Sequence, residues 1–127
     1  MKNLFYFLLA STLFIACKDE DEDPNALIGE WEWVQSYGGI QGQTLTPQSE
    51  GVTKHLEIDD DTYKEFINDS LIFQSGYEIE ARQDSIFGTD QVITFDTGYE
   101  LAFIQGGDNL QLIELCFDCF DHSYVRQ

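Results

Sequence analysis

The chain has 127 residues, of which 24 are acidic and 6 are Lys or Arg, giving a formal charge of −18; 43% are hydrophobic and 14% aromatic. So acidic a surface has no basic face for nucleic acid and is repelled by anionic lipid headgroups, which excludes nucleic-acid binding and lying flat on a membrane. The length builds one hydrophobic core and no second one.

Residues 1–16 have the outline of a secretory signal: Lys2, an apolar run from Leu4 to Ile15, and small Ala16 before Cys17. The run falls short of the roughly 20 apolar residues that cross a bilayer. Removing these residues takes away Lys2 and no acid, so the charge of −18 becomes −19. After Cys17 come Lys18 and an unbroken acidic run over 19–23. A block of like charge repels itself and does not pack, so 17–26 reads as a solvated tether and 27–127 as the folded domain.

From Leu27 onward, Gly, Asp and Asn punctuate runs of β-branched and aromatic residues that alternate with a period of two. The first run, 27–37, puts Trp31, Trp33, Gln35 and Tyr37 on one face and Glu30, Glu32, Val34 and Ser36 on the other. Residues 38–50 read as a loop. The segments 52–59 and 62–68 form a hairpin about Asp60 and Asp61. In 71–81, Leu71, Phe73, Ser75, Tyr77, Ile79 and Ala81 share a face, and Gly76 marks a bend or bulge. Further strands fit 91–95, 99–105, 110–115 and 122–126, with Gly106-Gly107-Asp108-Asn109 as a hairpin signal. No segment sustains an apolar period of 3.6. The expectation is an all-β fold of eight antiparallel strands in sequential order, closed as an up-and-down barrel because closure leaves no free edge.

Cys116 and Cys119, with His122 three residues on, are the constellation with chemical reach. A disulfide across the turn suits an oxidising compartment. Zinc held by Cys116, Cys119 and His122 would have three visible ligands where a structural site takes four, so no metal is assigned. A thioredoxin-type pair needs a following helix, and a strand follows here. Two free thiols are the remaining alternative. His55 lies on a polar strand face with no nucleophile beside it, and Asp59, Asp60 and Asp61 lack calcium-loop spacing, so neither catalysis nor a cofactor is expected.

Leu13-Phe14-Ile15-Ala16-Cys17 resembles a bacterial lipoprotein signal, which implies cleavage before Cys17 and its lipidation; two or more acyl chains anchor stably. Lys18 and the acids after it resemble the surface-export signals of Bacteroidetes lipoproteins, which implies the outer membrane and the cell surface. Leu27-Ile28-Gly29-Glu30-Trp31 resembles the Gly-x-Trp opening of lipocalins and the wider calycin barrels, and Tyr124-Val125-Arg126 supplies the arginine that such barrels lay across the tryptophan. The resemblance thus implies barrel closure by Gly29, Trp31 and Arg126. As a whole the chain is similar to the small lipocalin-like lipoproteins of that lineage, though shorter than the lipocalins and without an evident helix before its last strand.

Trp33, Tyr37, Phe73, Tyr77 and Phe103 share the inward parity, so they either line a pocket or fill the core. The expected function is binding: a small apolar ligand inside the barrel, or an extracellular protein or glycan at its loops. The alternative is an interaction or inhibitor module whose barrel is filled.

Overall fold

The computed structural model describes residues 24–82 and 91–127. Residues 1–23, on which the expected signal, Cys17 and the acidic run fall, lie outside them. A 3₁₀ turn, Pro24–Leu27, leads into strand β1 (Gly29–Gly38), then β2 (Gln43–Leu45), a single-turn helix α1 (Pro47–Glu50), β3 (Lys54–Ile58), β4 (Thr62–Ile67), β5 (Ser70–Ala81), β6 (Gln91–Phe95), β7 (Glu100–Gly106), β8 (Asn109–Glu114) and β9 (Phe120–Arg126). All pairings are antiparallel, and each strand from β3 to β9 pairs with the next in sequence. The first half of β1 pairs with β3 while most of its length pairs with β9, which closes eight strands into a barrel. The fold is therefore all-β, a closed up-and-down barrel of the lipocalin-like kind.

The span 38–50, expected as a loop, is more ordered than that. Ser36, Tyr37 and Gly38 pair with β2, making a ninth, short strand outside the closed ring. Thr46 then caps α1, its side chain accepting from the Ser49 N–H while the Ser49 hydroxyl accepts from the Thr46 N–H. Gly51 ends the helix in the left-handed region at φ 65.

One end of the barrel is plugged. Trp31 is fully buried, and the Arg126 guanidinium lies over its ring, 4.3 Å from the centroid. The guanidinium donates to the Ile28 and Ala26 carbonyls at 2.8 Å each, and the Trp31 indole N–H donates to the Leu27 carbonyl at 2.9 Å. Trp31 and Arg126 are also register partners on β1 and β9, so this contact closes first strand on last. Gly29 has φ 140, and a Cβ there would meet Arg126 Nη1 at 2.6 Å, so only glycine lets the guanidinium seat itself. Through the Ala26 carbonyl the plug takes in one residue before Leu27.

Two irregularities break the expected alternation. On β1, register shifts between Trp33 and Gln35, a bulge that leaves Val34 and Gln35 both exposed and turns Ser36 inward. A second bulge between β4 and β5 pairs Glu65 with Phe73 but Phe66 with Leu71, so Leu71 and Ile72 are both about half exposed. The interior cluster is built from Trp31, Trp33, Leu56, Ile58, Tyr63, Ile93, Phe95, Leu101, Phe103, Leu110, Leu112 and Tyr124, with Leu27 beneath it.

Candidate functional site

The end opposite the plug collects polar side chains on inward-facing positions. Lys54 shares parity with Leu56 and Ile58, and its ammonium lies 4.5 Å from the Trp33 ring centroid. Its neighbour Glu65 follows Tyr63 on the inner face of β4, opposite Leu56. Burial pushes the Glu65 carboxyl pKa up, and the opposing pull of Lys54 and His122 is smaller. Burial likewise raises the phenols of Tyr63 and Tyr124, with the Glu65 charge adding to both. At the rim Tyr99 stacks on Phe95 at 6.1 Å, and Phe95 makes edge contacts with Tyr63 and Phe73.

A hydrogen-bonded chain runs from the core to this rim. The Trp33 indole N–H donates to Ser36 Oγ at 2.9 Å, Ser36 Oγ lies 2.6 Å from His122 Nδ1, and His122 Nε2 lies 3.1 Å from Glu114 Oε1. An indole N–H only donates, so Ser36 accepts from it, while the two His122 nitrogens donate or accept according to the ring's tautomer. The other Glu114 oxygen accepts from the Phe120 N–H at 3.1 Å. Serine, histidine and carboxylate stand here in the spatial order of a hydrolase triad. Yet Ser36 is 1% exposed and its oxygen is engaged from two sides, so no substrate carbonyl reaches it in this conformation.

Cys116 and Cys119 are joined as a disulfide across the β8–β9 turn, their Cα atoms 5.4 Å apart. Beside it a cleft of about 380 Å³ is lined by Gly98, Tyr99, Glu100, Glu114, Leu115 and the two cysteines. On the outer wall a second, shallow groove of about 520 Å³ runs over β1, β9, β8 and β7, with Val34, Ile104 and Val125 exposed along it.

The five aromatic positions proposed as a pocket lining do not come together as one. Trp33 and Phe103 are 2% and 5% exposed within the core cluster. Phe73 and Tyr77 pack partly buried against it, and the Tyr77 hydroxyl donates to the Asp59 carbonyl near the plugged end. Tyr37 is a correction: the β1 bulge reverses parity after Trp33, so this ring faces outward and is 55% exposed. Sequence reasoning also passed over Ser36, Lys54, Glu65 and Glu114. Parity with Leu56, Tyr63 and Leu112 marks the last three, whereas nothing local marks Ser36. Comparison with protein-family models and with the curated proteins finds no match for this chain.

Proposed function

We propose that the chain is an outer-membrane lipoprotein, held through Cys17 and displayed at the cell surface, whose filled lipocalin-like barrel is an interaction module for an extracellular protein or glycan. The observation that carries the choice of partner over internal ligand is the packing of Trp33 and Phe103 into the core cluster, where a ligand-binding barrel would leave them lining a cavity. Contact then falls to what the barrel displays: the rim segments around β2, α1 and the 115–119 turn, and the neutral groove along Val34, Ile104 and Val125 on an otherwise acidic molecule. The blocked Ser36 hydroxyl supports a binding role over catalysis.

Anchoring rests on the lipoprotein-like signal before Cys17. Among the described residues no helix is long and apolar enough to cross a membrane, so they supply no helical alternative to a lipid. Native mass spectrometry of the full chain taken from its own membrane tests the reading. The expected result is acylated protein with no stoichiometric small-molecule adduct. A retained apolar ligand at one per chain would overturn the filled barrel and favour a ligand-binding role.

A further inference from the structure

The β8–β9 turn carries a ligand set that the disulfide keeps out of use. Glu114, Cys116 and Cys119 each offer one ligand atom, and the three atoms lie within 4.8 Å of one another. The sequence shows the cysteines and His122; the register of β8 adds the carboxylate. His122 Nε2 and the Phe120 N–H hold the two Glu114 oxygens, and Ser36 holds His122 through Nδ1. A carboxylate oriented by a histidine that is itself oriented by a further group is how metal sites support their ligands. The adjoining 380 Å³ cleft opens the cluster to solvent and gives an entry path.

We propose that this turn is a redox-gated site for zinc or a similarly thiophilic divalent cation. In the disulfide state both sulfurs are bonded to each other and one carboxylate alone is offered, which binds such a cation weakly. A dithiol reductant supplies two electrons and two protons, giving two cysteine thiols while it becomes a disulfide itself. The cation then displaces the thiol protons and is held by two thiolates and Glu114. That leaves a fourth position for water, the pattern of an open site. His122 and Ser36 act as positioning residues. The proposal is independent of whether the barrel binds a partner.

The probe is Co²⁺, with Zn²⁺ as competitor, titrated into the full chain in detergent, oxidised or reduced by a dithiol that is then removed without oxygen. The reduced chain should take up one Co²⁺ with a thiolate-to-metal charge-transfer band in the near ultraviolet, and Zn²⁺ should abolish the band. The band separates this site from the chain's 24 carboxylates, which bind cations without it. Cys116→Ser should lose it. Glu114→Gln should weaken binding at least tenfold, and His122→Ala should weaken it by about 10- to 100-fold, the range for supporting groups of metal sites. The oxidised variants should keep the wild-type β spectrum, so that lost binding is not lost folding. The proposal is overturned by an equal band in the oxidised chain, by no band after verified reduction, or by a folded Glu114→Gln chain that binds as wild type does.

Discussion

At the scale of single residues, Arg126 lies over the buried Trp31 ring. Trp31→Ala removes the end plug and is expected to cost about 3–5 kcal/mol, as large-to-small core changes do. Arg126→Ala loses the stacking and the donors to Ile28 and Ala26 and should cost about 1–2 kcal/mol. Both changes break one contact, so the double variant should cost less than the sum in denaturant titrations; strict additivity would mean that the two side chains do not couple. Glu65 gives a pH-dependent counterpart. Lys54 on β3 and His122 on β9 favour its charged form, but burial outweighs them and raises its pKa. The folded chain thus holds this proton to higher pH than the unfolded chain. Its contribution is fully present below the ordinary carboxylate range and is lost as pH rises through the raised value. Glu65→Gln should accordingly raise the urea midpoint at neutral pH, with the gain shrinking on acidification; a variant less stable than wild type at neutral pH would show that the pull of Lys54 and His122 outweighs burial.

The elements obey pairing rules that a deletion exposes. In β1 the bulge sets two residues, Val34 and Gln35, between Trp33 and Ser36, where regular pairing needs one. Deleting Val34 should restore plain alternation while keeping Trp33 opposite Tyr124 and Ser36 opposite His122. A modest loss of stability and a retained fold are expected, read by circular dichroism and the denaturant midpoint. Deleting Glu32 instead sets Trp31 and Trp33 on adjacent, opposite-facing positions and should unfold the domain. If the two deletions prove equally damaging, the bulge is not the spare residue that its register makes it.

For the whole molecule, the proposed division of labour is between an anchor and a barrel. Cys17→Ser should give a chain that no longer partitions with membranes, because the acyl chains are its only proposed hold. Wild-type membrane association of that variant would refute lipid anchoring. Reversing the charge of Asp19, Glu20, Asp21, Glu22 and Asp23 should leave lipidation intact and lower surface display, measured by protease shaving of whole cells. The same reversal is expected to leave the stability of the barrel unchanged, the outcome that the tether reading of 17–26 requires.

The sequence by itself determined the class of fold and most of the inward-facing set. Trp31, Leu56, Tyr63, Phe73, Ile93 and Phe103 alternate in short runs, and alternation is a local property that any strand pairing preserves. The same local rule extends to Lys54, Glu65 and Glu114, whose parity was legible though their charge argued against the interior. Only the tertiary structure decided that Tyr37 faces solvent and Ser36 faces His122. A bulge is a mismatch between two strands, and Ser36 and His122 are 86 residues apart, so neither strand alone records which residue is the extra one. Closure decided the rest: it put the last strand beside the first and so brought Arg126 over Trp31, and it joined the Trp33–Ser36 end of β1 to His122 and Glu114. Long-range register, which fixes which side chains from distant strands share one height in the barrel, exists only once the ring is shut.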